Sequence, residues 1–304
     1  MSLATRDEKA LKSLIAWWAD AGFDPDEIDT PAPARKSAPS AAASSASAHP
    51  ASTHPASTHP ASTHPASAHP GSGRPQQASA PRPAATAAAA MAAGFGEARK
   101  EGPDARTLAA RCDTLEQLFA AIEAFEGCAL KRTARNTVIS RGNPQADIMI
   151  VGEGPGREED EQAKPFVGRS GQLLDRMFAA IGLGEDQLYI SNIVNWRPPG
   201  NRNPTQEEIA QCLPFIERHI AIKQPKLLIL TGGVSAQSLL RASTGIMRLR
   251  GRWAEYRVKD KTMEPTEQHI PALPVLHPAY LLRRPQEKRL AWRDLLALKA
   301  RLDG

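Results

Sequence analysis

Between residues 30 and 102 the chain is dominated by Ala, Ser, Pro, Thr and His, and within that stretch His49, His54, His59, His64 and His69 each precede a proline at five-residue intervals. A proline every fifth residue removes backbone donors and blocks a stable helix, and the stretch has no apolar mass to bury. It reads as a semi-extended linker over 25–103. The 304 residues are thereby divided into an N-terminal segment, 1–24, and a globular part, 104–304. Regularly spaced histidines can bind a transition metal, but a spacer grown by repeat expansion accounts for them without any fixed geometry. Five of the eight histidines lie there, which leaves His219, His269 and His277 for the folded part.

Residues 5–21 carry Leu11, Leu14, Ile15, Trp17 and Trp18 at helical spacing, opposite Arg6, Asp7, Lys9 and Lys12. This is the pattern of one amphipathic helix, suited either to docking on its own domain or to holding a protein partner. Its charges and the absence of an apolar core argue against a secretory signal. No run of about 18 apolar residues is present, so no membrane-spanning helix is expected. Cys112, Cys128 and Cys212 are too few and too scattered for a disulfide scaffold, and the expected location is a reducing cytoplasm, at the bacterial nucleoid. The formal charge of +5 suits a polyanionic partner, although many ordinary enzymes are as basic.

From residue 104 onward, short apolar runs (147–151, 188–194, 227–230, 274–276) alternate with helical stretches (171–181, 205–222, 234–240, 286–302). A helix over 107–125, burying Leu108, Leu115, Leu118, Phe119 and Ile122, precedes them. Alternation of this kind predicts an α/β fold, a three-layer α/β/α arrangement around a mostly parallel sheet. Ligands of such sheets sit in the loops at the carboxyl ends of the strands.

Three of those loops are rich in special residues. The first runs Gly152-Glu153-Gly154-Pro155-Gly156-Arg157-Glu158-Glu159-Asp160 and on through Lys164-Pro165-Phe166-Val167-Gly168. The second holds Asn192 and Arg197-Pro198-Pro199-Gly200-Asn201-Arg202, and the third His277-Pro278-Ala279-Tyr280-Leu281-Leu282-Arg283-Arg284. The glycine cluster has neither dinucleotide-binding spacing nor a Gly-Lys-Ser/Thr ending, and its acidic residues would repel a triphosphate. Its glycines allow close backbone approach to a flat ligand. Phe166 serves equally well as a core residue or as a ring on which a planar base stacks.

Taken together, and with Leu249-Arg250-Gly251, these strings resemble the uracil-DNA glycosylase superfamily, most closely its family 4, across about residues 115–302. The resemblance implies a monofunctional glycosylase that hydrolyses the N-glycosidic bond of uracil in DNA and leaves an abasic site, as in base excision repair. His277 would donate to uracil O2 as negative charge develops there, and Glu153 would position the attacking water. Gly154, Glu159, Phe166 and Asn192 would bind uracil through a backbone contact, the C5 edge, stacking and the N3/C4 edge respectively. Leu281 or Leu282, beside Tyr280 at the DNA, would wedge into the duplex, with Arg250, Arg252, Arg283 and Arg284 on phosphate; a solvated charged face is the other reading of those arginines.

The family's 4Fe–4S cluster is held by four cysteines. Two of its positions fall on Cys128 and Cys212, but the others are Lys131 and Trp196, so no cluster and no metal are expected. A related branch that traps uracil-DNA covalently carries a basic insertion that Met247-Arg248-Leu249-Arg250-Gly251-Arg252-Trp253 lacks, which favours turnover. The expected partner is uracil-containing DNA, single- or double-stranded, bound by a monomer. The alternatives are a binding module without turnover and a glycosylase for another deaminated base.

Overall fold

The computed structural model describes residues 103–304 together with Lys12, Ile15, Ala16 and Ala19, which are helical. The rest of the expected amphipathic helix and the whole of the expected linker up to residue 102 lie outside the described residues.

A six-stranded sheet organises the domain. Its strands are β1 (Ser140–Gly142), β2 (Ile148–Gly152), β3 (Leu188–Asn192), β4 (Leu227–Thr231), β5 (Ala254–Lys259) and β6 (Pro265–Val275). The spatial order is β1-β3-β2-β4-β6-β5. The four inner strands run parallel, and β1 and β5 pair antiparallel at the two edges. The helices are α1 (Ala105–Ala110), α2 (Leu115–Ala124), α3 (Arg157–Gln162), α4 (Arg169–Ala179), α5 (Gln206–Lys223), α6 (Gly233–Leu240), α7 (Ile246–Leu249), α8 (Pro278–Arg283) and α9 (Lys288–Asp303).

The three layers follow from the period of two along each inner strand. Met149 and Val151 of β2 face one core with Leu118 and Ile122 of α2 and with Cys212, Phe215 and Ile216 of α5. Ile148 and Ile150 face the other, with Leu173, Leu174 and Phe178 of α4 and Leu295 and Leu298 of α9. Every residue of β2, β3 and β4 is buried, as expected of strands covered on both faces. No helix among the described residues is long and apolar enough to cross a membrane.

Two features differ from the expectation. The single helix over 107–125 is two helices, because Thr114 caps α2 by accepting from Gln117 N while the Gln117 side chain accepts from Asp113 N. These two bonds fix the start of α2, and α1 has already ended at Ala110 with Arg111 as its C-cap. The sheet also has two antiparallel edge strands, β1 and β5, and β6 begins nine residues before the expected 274–276 run. The first half of β6 is mostly exposed and polar, so it lacks the apolar signal of an inner strand.

Candidate active site

The parallel strands β2, β3, β4 and β6 all end on the same side of the sheet, where Gly152, Asn192, Thr231 and His277 emerge. A cavity of 710 Å³ opens there. Glu153, Gly154, Glu159 and Phe166 line it from the first loop, and His277, Tyr280 and Arg283 line it from the third.

His277 is the N-cap of α8, and Pro278 supplies the first helical residue with its φ already set. Ala279 N donates to His277 Nδ1 at 3.1 Å. An acceptor at Nδ1 carries no proton, so the neutral ring holds its proton on Nε2. Burial pushes the imidazole down to about 4, and the nearby Arg283 cation adds to the effect. At neutral pH this side chain is an uncharged Nε2–H donor. Gly232, with φ +94°, lets the end of β4 pass close behind it, since a Cβ there would sit 3.2 Å from His277 Cβ.

Phe166 lies with its ring centroid 5.6 Å from that of His277, at an interplanar angle of 33°. A Cβ on Gly152 would stand 2.6 Å from the Phe166 ring and would collide with Asn192 Oδ1, so the ring and the carboxamide meet over that glycine. Asn192 is 2% exposed, and its Oδ1 is buried with no hydrogen-bond partner among the described residues. A buried acceptor left unpaired costs about 1–3 kcal/mol, which a ligand N–H would offset. Phe166 and His277 both line the cavity, whereas Asn192 lies outside its lining, buried against the Phe166 ring over Gly152.

Glu153 is half-buried, and burial raises its carboxyl above the ordinary value while Arg283 pulls it back. Gly154 packs on Val194 so closely that a Cβ would strike it. Both oxygens of the buried Glu159 are engaged: Oε2 accepts from Gly156 N at 3.1 Å, and Oε1 from Val167 N at 3.1 Å and Gly168 N at 3.0 Å.

Two expected DNA contacts are corrected. Leu281 is wholly buried in the α4/α9 core and cannot wedge into a duplex. Tyr280, half-buried, and Arg283 are the large side chains of that helix that line the opening. Arg250 is not offered to phosphate either. Its guanidinium forks onto the buried carboxylate of Asp294, with Nε donating at 2.9 Å, and a second N–H goes to Leu290 O. Arg252 and Arg284 are exposed but outside the cavity lining. Arg157, Arg169, Arg197 and Arg202 line it instead. Their signal was present in the sequence, as arginines lying within the strand-end loops rather than in a basic run.

The residues at the expected cluster positions do not fit a four-cysteine cluster. Cys128 and Cys212 are buried, with their sulfurs 3.9 Å apart. The Lys131 ammonium donates to Glu123 O and pairs with Glu126 at 2.8 Å. Trp196 is 1% exposed, donates from Nε1 to Thr137 Oγ1 at 3.1 Å and packs on Phe125. Two thiols are present where four are needed, and an indole occupies one of the other places.

The family model of the uracil DNA glycosylase superfamily matches residues 139–296, which contain the whole of this cavity. The chain is similar to a type-4 uracil-DNA glycosylase of Sulfurisphaera tokodaii, 34% identical over 192 residues, covering 62% of this chain and 84% of that protein. The corresponding protein of Archaeoglobus fulgidus is 35% identical over 178 residues, 57% of this chain and 86% of its own. That of Pyrobaculum aerophilum is 36% identical over 186 residues, 60% of this chain and 91% of its own.

Proposed function

The chain belongs to the uracil-DNA glycosylase superfamily, and on that premise we propose that its cavity takes a uracil turned out of DNA and hydrolyses the bond to deoxyribose, leaving an abasic site. The observation that carries this reading is a neutral Nε2–H donor, His277, beside the Phe166 ring in the cavity, with the unpartnered buried acceptor Asn192 Oδ1 meeting that same ring over Gly152. Uracil offers the matching set: an N3–H to donate, a flat ring to stack and an O2 on which charge accumulates as the bond breaks.

Cleavage of an N-glycosidic bond passes through an oxocarbenium-like sugar, with the base leaving as an anion. A preorganised donor aimed at that charge contributes about 3–4 kcal/mol. A neutral donor is the better choice for His277, because its proton stays on Nε2 and stabilises the anion without being lost to water. Cytosine has no hydrogen at N3, so it would leave Asn192 Oδ1 unpaired, and sites built this way discriminate by about 10⁴-fold. Glu153, beside the cavity, accepts a hydrogen bond from the attacking water and receives its proton. Glu159 stands as the wall at the C5 edge. Tyr280 and Arg283 face the DNA, Tyr280 at the gap left by the extruded base and Arg283 toward phosphate.

Among the described residues no lysine lines the cavity to form a Schiff base, which supports a monofunctional hydrolase that does not cut the strand. The mismatch of Lys131 and Trp196 with cluster ligation supports a protein that works without iron; metal analysis of purified protein should find less than one iron per chain. The test of function is release of uracil from a single-stranded oligonucleotide. Wild-type protein should release it, and His277→Ala and Asn192→Ala should each slow release by at least about 10²-fold. Tight binding of uracil-DNA without release would overturn the reading.

A further inference from the structure

Phe166 has φ +54°, in the left-handed region that bulky side chains avoid. Such a residue persists only where its surroundings over-determine it. Here the two flanking peptides are held from opposite sides. On the C-terminal side, Glu159 Oε1 accepts from Val167 N and Gly168 N at 3.1 and 3.0 Å. On the N-terminal side, Arg141 Nε donates to Pro165 O at 2.9 Å. Behind the ring, Gly171 of α4 lies so close to the Phe166 carbonyl that a Cβ would collide with it.

Arg141 is itself fixed. Its guanidinium forks between Asp175 of α4, at 2.5 Å, and Glu185, at 3.1 Å, and its side chain is 9% exposed. It sits on β1, a three-residue edge strand that pairs with β3, the strand that ends in Asn192. It also lies on the far side of Phe166 from the base cavity. A separate cavity of 450 Å³ is lined by Arg141, Lys164, Phe166, Val167, Asp175 and Glu185, and it shares only Phe166 with the cavity that holds His277.

We propose that Arg141 is a positioning residue for catalysis: from behind, through Pro165, it holds the strained Phe166 turn so that the ring stays over the base slot, with Glu159 holding the other end of the same turn. This rests on the reading of the cavity as a uracil site. Arg141 does not line the base cavity, so its removal reaches the base through the Phe166 turn, while Asp175 and Glu185 lose their partner at a distance from it. A stacking face displaced by about 1 Å costs on the order of 10²-fold in rate.

The test compares wild type with Arg141→Ala, Arg141→Met and Arg141→Lys. Three quantities are measured: single-turnover release from a uracil-containing single strand, inhibition by free uracil, and affinity for the same strand carrying an abasic site. Arg141→Ala and Arg141→Met should lose about ten- to a hundredfold in rate and about tenfold in inhibition by free uracil, while abasic-strand affinity changes less than twofold. Arg141→Lys, which keeps a charged donor for Pro165 O, should recover part of both losses. If Arg141→Ala does not fold, the bulkier Arg141→Met carries the decision on the same criteria. An unchanged release rate in a folded variant lacking the donor overturns the inference, as does an equal loss of abasic-strand affinity, which would mark general loosening. A wild-type protein that releases no uracil is a different failure, seen before any variant is made, and it removes the uracil reading itself.

Discussion

In the proposed reaction, two titrating side chains at the cavity both bear on the acid side of its pH dependence. His277 acts as a neutral donor, and burial keeps it neutral down to about 4. Glu153 acts as a carboxylate, and burial raises its carboxyl above the ordinary value of 4.5. As pH falls, Glu153 therefore takes up its proton first, and the acid limb of single-turnover release belongs to it rather than to an imidazole near 6.5. Glu153→Gln should slow release and shift the remaining limb down toward about 4. A limb that stays near 6.5 in both proteins would show that His277 titrates as an ordinary surface histidine. Arg250 yields a second prediction at this scale. Removing it strands Asp294, which is 2% exposed and already pushed up to about 6 by burial. Breaking a buried pair by deleting one partner costs about 3–5 kcal/mol. Arg250→Ala should thus lower the melting temperature markedly while leaving DNA affinity of the folded protein unchanged; a pure loss of DNA affinity would restore the phosphate-contact role.

At the scale of elements, α8 shows what the sequence could and could not convey. Pro278 was read only as fixing a turn after His277, and the structure makes that turn the start of a helix with His277 as its cap. Which of Tyr280, Leu281 and Leu282 faces DNA was not legible, because a six-residue helix has too few turns for its apolar period to be read against a core. Packing against α4 and α9 decided it in favour of burying Leu281. Leu281→Ala should accordingly destabilise by about 2–5 kcal/mol in urea denaturation, the range of a large-to-small core change. The inner strands were legible because burial on both faces writes continuous apolar runs. Strands β1 and β5 were not, since an edge strand needs only one apolar face, and β1 has just three residues. The proposed site residues Glu153, Phe166, Asn192 and His277 stood out because glycines, prolines and lone polar groups at strand ends have no structural reason to cluster. Arg141 left no such signal. Its part depends on Pro165, 24 residues further on, and no local spacing reveals a contact of that kind.

At the scale of the whole molecule, buried titrating groups in the two cores tie stability to pH. His219 is 1% exposed, bonded to the Tyr189 hydroxyl at 2.9 Å and packed edge-on against Phe119, and burial holds it down to about 3. The unfolded chain protonates the same group near 6.5. Between those values the unfolded state binds more protons, so the contribution of the neutral ring is complete above about 6.5 and is lost as pH falls through the interval. His277 has the same sign over 6.5 to about 4. Asp294 opposes both, because its folded carboxyl, at about 6, keeps a proton that the unfolded chain releases near 3.8, and that term grows as pH falls. Glu153 and Asp175, whose carboxyls burial also raises, act in the same direction as Asp294, so the histidine contribution is isolated with a variant rather than read from the whole domain's curve. Each histidine supplies a slope of at most about 1.4 kcal/mol per pH unit. His219→Gln keeps a partner for Tyr189 but cannot titrate. Across pH 5.5 to 4.5, its unfolding free energy from urea titrations should fall less steeply than that of wild type, by about 1 kcal/mol per pH unit. Parallel lines for the two proteins would mean that His219 is charged within the fold, and the apolar face formed by α2, α5 and Tyr189 would then have to open to water.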